Sequence, residues 1–215
     1  MNFLMYSLCA LPVWGAAFAL YFILRRAGLM RESLIAKCLG SFLSVVSSGL
    51  GLYLSGASPI REPVFWFFVL CTAADALLEI SFVPGMRLFG GANIFLLLWL
   101  WGLAPAGWAS LIVWLAAYAA TAWLFRKELP RLHKLLVPFC LYPALLGGSL
   151  ALGAALPFTA GPNYWPLAVG TLCFFVSDMM VAKSELSGLD PKWQKPIMLL
   201  YWGALYLISS ALWLV

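Results

Sequence analysis

The sequence predicts an all-α, polytopic transmembrane bundle of about eight helices, with both termini on the non-cytoplasmic side. Three observations predict it. Of 215 residues, 64% are hydrophobic and 10% charged, with a mean hydropathy of +0.97. Several apolar runs exceed eighteen residues, and about 20 apolar residues of helix cross the hydrocarbon core of a bilayer. The basic residues also fall in alternate links between those runs, as the positive-inside rule requires. The spans consume most of the chain, so a single transmembrane domain over residues 1–215 is expected and no soluble one.

Taken in order, each span has its own boundary chemistry. The first, 3–24, is followed by Arg25 and Arg26 and has no basic stretch before it. A cleaved signal peptide has the opposite charge order, so this run reads as a retained span. The second, 34–54, stops at Ser-Gly-Ala-Ser-Pro, 55–59. The third, 63–80, stops before Val-Pro-Gly at 83–85, and the fourth, 89–104, is short. Ala-Pro-Ala-Gly at 104–107 separates it from the fifth, 107–125, where Ala116, Ala117, Ala119, Ala120 and Ala122 make one side small. Such a side is expected to pack closely against a neighbouring helix. The sixth, 135–155, follows a basic link containing His133, the only histidine, which reads as solvated. The seventh, 164–182, follows Ala-Gly-Pro-Asn at 160–163, with Trp165 as an interfacial belt residue, and the eighth is 196–215.

The links test this division. Those after spans one, three, five and seven hold Arg25, Arg26, Arg31, Arg87, Arg126, Lys127, Arg131, Lys134, Lys183, Lys192 and Lys195. The others hold only Arg61. Eleven against one is an asymmetry that a miscounted span would scramble, and it sets the even-numbered helices to start at the cytoplasmic face. The net charge of +5 is therefore topogenic, facing an anionic membrane surface, and does not point to nucleic acid. Cys9, Cys38, Cys71, Cys140 and Cys173 are scattered without a C-x-x-C pair and read as packing residues. Nucleotide-loop, zincin and serine-hydrolase motifs are absent, and one histidine leaves almost no metal ligands.

Four ionisable residues stand out against this background. Lys37, Asp75, Glu79 and Asp178 lie within or at the edges of apolar spans, where a charge costs roughly 2.5–3.5 kcal/mol at the helix centre. The topology brings all four to the cytoplasmic half of the bundle, and Asp75 and Glu79, four apart, share a helix face. Lys37 and Glu79 are near enough to an interface to snorkel as ordinary surface charges. Asp75 and Asp178 have apolar neighbours on both sides, so they read as a functional pair, or as partners of Lys37 in an ion pair that locks helix packing.

Short stretches around these residues resemble the lysoplasmalogenase (YhhN-like) family of eight-span membrane proteins. Ala-Ala-Asp-Ala-Leu-Leu at 73–78 is similar to its Gly-Asp-x-Leu-Leu segment, and Phe-Phe-Val-Ser-Asp-Met-Met-Val-Ala at 174–182 to its Phe-x-x-Ser-Asp segment. Ala-Lys-Cys-Leu at 36–39, Leu-Tyr-Pro-Ala at 141–144 and Leu-Leu-Tyr-Trp at 199–202 fit its Thr-Lys-Pro, sixth-span Tyr and last-span Tyr-Tyr regions. Ala74 replaces the glycine before the first aspartate, Cys38 the proline, Trp99 a histidine and Leu205 a glutamine, removing polar members of the expected pocket.

The resemblance implies a metal-independent hydrolase, without cofactor, that cleaves the vinyl ether of a lysoplasmalogen to a fatty aldehyde and a glycerophospho-alcohol. Asp75 and Asp178 would be the catalytic carboxyls, one protonated to donate and the other ionised to stabilise the cation or activate water. Lys37 and Glu79 would tune them or meet the lipid phosphate, with Asn93, Tyr142, Ser177 and Tyr201 as polar lining. The expected partners are the lysophospholipid substrate and membrane lipids, in a bacterial cytoplasmic membrane. A small lipid or solute transporter could use the same charges. An intramembrane aspartyl protease also uses two membrane aspartates, but Asp75 follows Ala and Asp178 follows Ser, so its Gly-x-Gly-Asp and Tyr-Asp signatures are absent.

Overall fold

The computed structural model describes residues 3–55, 60–132, 136–188 and 190–213. His133, Lys134, most of the 55–59 break and the ends assigned to spans six and eight (residues 135, 214 and 215) lie outside the described residues. Eight α-helices run in order: α1 Phe3–Arg26, α2 Met30–Ser55, α3 Glu62–Ile80, α4 Phe82–Leu103, α5 Trp108–Leu124, α6 Leu136–Thr159, α7 Trp165–Ser187 and α8 Gln194–Ser210. No strand occurs among the described residues. Seven helices are long and apolar enough to cross a membrane, and α5, at 17 residues, is the short one.

The largest boundary difference from the sequence expectation lies between the third and fourth helices. The third and fourth helices are separated by Ser81 alone, whose φ of −157° and ψ of 123° are extended, and not by Val-Pro-Gly at 83–85. Pro84 lies in the first turn of α4, where its missing N–H would have had no helical partner anyway. The fourth helix is consequently 22 residues long and the fifth is the shortened one. The tight reversal needs Gly85, because a Cβ there would sit 2.8 Å from the backbone nitrogen of Leu78. Arg87 and Lys183 also lie inside helices rather than in links, since the helices run past the ends of the apolar runs.

Six helices close a ring in the order α2, α3, α4, α6, α7, α8. Helix α1 flanks it against α2 and α8, and α5 lies outside on α6. The expected small-residue packing of α5 is met only at Ala117, which faces Gly147 of α6, while Ala116, Ala119, Ala120 and Ala122 are exposed. One helix neighbour buries one stripe, so the remaining alanines face outward. Inside the ring, Phe67, Phe89, Phe174 and Tyr201 form an aromatic cluster with ring centroids 5.5–6.4 Å apart. Contacts of this kind add to the area the rings bury. Helix α8 closes on α2 where Gly40 admits the Trp202 ring, a ring atom of which would lie 2.3 Å from any Cβ at that position.

Candidate active site

One end of the ring opens into a cavity of ≈ 370 Å³. The last turns of α1, α3 and α7 and the first turns of α2, α4, α6 and α8 supply its wall. Every helix but α5 therefore contributes, and the aromatic cluster lies at its inner end through Phe89 and Tyr201. Helix α6 carries Pro143 into the wall next to Tyr142. A proline there removes the N–H that would bond the Phe139 carbonyl one turn back, leaving a polar backbone group at the cavity rather than in lipid.

Asp75 and Asp178 both line this cavity, one from α3 and one from α7. Their partners differ. Asp75 is 1% exposed, and its Oδ2 accepts hydrogen bonds from the Ser41 hydroxyl and from the Tyr201 hydroxyl at 2.7 Å. Its Oδ1 lies 3.5 Å from Nζ of Lys37. The Tyr142 hydroxyl donates to Oδ2 of the partly buried Asp178, whose Oδ1 is 3.5 Å from Oγ of Ser177. Among the described residues no ammonium or guanidinium lies within ion-pair distance of Asp178.

The other sequence candidates divide. Lys37 is 8% exposed and bridges Asp75 to Glu79, whose Oε1 is 3.7 Å from Nζ. Burial two turns into α2 leaves Lys37 no snorkelling role. Glu79 is exposed at the mouth and also pairs with Arg25 at 3.4 Å. Tyr142, Ser177 and Tyr201 line the cavity, and the Ser177 hydroxyl also donates to the Phe174 carbonyl of its own helix at 2.9 Å. Asn93 does not line it. It sits between α4 and α6, accepting from Ser149 at 3.2 Å and donating to the Phe89 carbonyl at 3.1 Å, two helical turns past Met86. Trp99 and Leu205 are buried deeper still and outside the cavity wall, so their replacement of a histidine and a glutamine leaves this lining unchanged.

Sequence reasoning missed Ser41, Arg25, Tyr21 and Gln194. Ser41 follows Lys37 by four residues, and that spacing on an apolar helix was the available signal. Gln194 has its carbonyl oxygen 3.2 Å from Arg25 Nε and from the Tyr21 hydroxyl in the amide orientation that satisfies all three. These contacts join α1 to α8 across more than 160 residues, which no local pattern encodes.

The arrangement provides a carboxyl braced by a lysine, a second carboxyl without a cation, two phenols and a charged mouth, all around one cavity. That equipment suits proton transfer to a bound molecule. The YhhN family model matches residues 32–212, a stretch containing Lys37, both aspartates and both phenols. Neither a curated protein nor a solved structure matches the chain.

Proposed function

Because the chain belongs to the YhhN family, which includes lysoplasmalogenases, we propose that it hydrolyses the vinyl ether of lysoplasmalogens within the membrane. The carrying observation is the unequal setting of two aspartates on one cavity. Asp178, without a cation, holds the proton and is the general acid, while Asp75, fixed as an anion by Lys37, stabilises the developing positive charge. Asp178 protonates the β-carbon of the vinyl ether, giving an oxocarbenium ion. Water adds to its carbon and returns a proton to the Asp178 carboxylate. The hemiacetal then collapses, its hydroxyl proton passing to the departing glycerol oxygen, which yields a fatty aldehyde and a glycerophospho-alcohol. No metal takes part in these steps. The mouth, with Arg25 and Lys37 near it, meets the phosphate at the cytoplasmic side of a bacterial membrane.

The test is aldehyde release from a lysoplasmalogen by the purified protein. Asp178→Asn and Asp75→Asn should each lower it by roughly 10²–10⁴-fold, the usual worth of a positioned acid or base. Asp178→Asn should keep the native thermal transition, while Asp75→Asn, which leaves Lys37 without its buried partner, should melt lower but still as a folded bundle. Undiminished turnover in either variant would sink the assignment.

A further inference from the structure

A second hollow, ≈ 460 Å³, runs along the outside of the ring between α5 and α7. Ala120, Thr121 and Leu124 form one bank and Phe175, Val176 and Met180 the other. Two residues, Met179 and Trp193, line both this groove and the catalytic cavity. Met179 is the partition: it is 6% exposed, follows Asp178 directly, and its Sδ lies 3.5 Å from Oγ1 of Thr121 on α5. Methionine is unbranched, with three rotatable bonds, so it can swing aside with little loss of packing.

We infer that this groove holds the hydrocarbon chain of the lysolipid and admits it to the cavity past Met179. The inference rests on the reading above, that a single-chain ether lipid is the substrate. The ether oxygen joins headgroup to chain, so a substrate with its ether at Asp178 must send the two in different directions. The mouth, with Arg25, Glu79, Glu185 and Asp190 in its wall, is charged and hydrated, which suits a polar headgroup reaching Arg25 and is hostile to an alkyl chain. The inner end is closed by Phe67, Phe89, Phe174 and Tyr201. The wall beside Asp178 remains, and beyond it lies a groove whose lining is apolar except for Thr121 and Lys183. Lys183, paired with Glu128 at 2.5 Å, marks its polar end. Its shared wall with the cavity, Met179 and Trp193, distinguishes this groove from the general lipid-facing surface of the bundle.

Two measurements test it. Ala120→Trp and Val176→Trp fill the groove from exposed positions on opposite banks. Each should lower the ratio of kcat/KM for a long-chain over a four-carbon vinyl ether by about tenfold, as expected when buried methylenes lose their site. An unchanged ratio in both variants overturns the proposal. Independently of turnover, a long-chain lysolipid with a diazirine at its chain terminus should label α5 and α7 at the groove. Excess unlabelled lysolipid should displace that label. Labelling confined to other helices, or groove labelling that no competitor displaces, also overturns it. If the native protein releases no aldehyde, the hydrolase reading fails, and the photolabel still decides whether the groove binds the chain.

Discussion

Asp75 accepts from two hydroxyls and faces an ammonium at 3.5 Å, whereas Asp178 meets one phenol and the open cavity. Both settings follow from which helix lies opposite each aspartate, and that is where the sequence stopped short: it named both residues and left their roles undivided. Lys37 is where a structural role meets the proposed catalytic one. Removing one partner of a buried pair costs roughly 3–5 kcal/mol because the other charge is left uncompensated. Lys37→Met should therefore lower the thermal stability of the detergent-solubilised protein. The double variant Lys37→Met with Asp75→Asn should regain most of that stability while remaining inactive. A double variant as unstable as the single one would show that the pair is not what the lysine stabilises. Ser41 went unnoticed in the sequence because serines recur throughout α2 at positions 33, 41, 44, 47, 48 and 55, and only the partner across the interface singles it out.

Helices were legible wherever an apolar run met a breaker, and the errors have one source. Proline and glycine were read as stops at 83–85, although a proline in a first turn costs a helix no hydrogen bond. Between α5 and α6, the link is anchored by Glu128, which accepts from Lys183 at 2.5 Å and from Ser187 at 2.6 Å. These two donors lower the Glu128 carboxyl from its ordinary 4.5 to about 2. A depressed value contributes stability that is present above the unfolded pKa and is lost as pH falls toward the folded one. The anchor should hold at neutral pH and release between about 4.5 and about 2. Solvent screens such a pair, so the effect belongs to the link and not to the whole bundle. Amide-exchange protection over residues 125–132, taken relative to the intrinsic rate at each pH, should fall across that interval, and Lys183→Met should flatten the dependence. Equal pH dependence with and without Lys183 would refute the anchor.

Across the whole molecule, the odd-numbered helices run toward the cavity mouth and the even-numbered ones away from it, and the basic residues gather at that end. With the positive-inside rule, the orientation we propose has the mouth at the cytoplasmic face. In a background without the native cysteines, Arg61→Cys should react with an impermeant maleimide in intact cells, and Lys127→Cys only once the membrane is opened. The reverse pattern would invert the proposed orientation. Helix number, alternation of direction and the placing of Asp75 and Asp178 toward one end of the bundle were all readable along the chain, because hydropathy and loop charge act over neighbouring residues and depend on no distant partner. The ring that excludes α5, the Lys37 bridge, the unequal partners of the two aspartates and the groove beside Met179 were not readable. Each is a contact between helices far apart in sequence, chosen by how shapes such as Gly40 against Trp202 fit together.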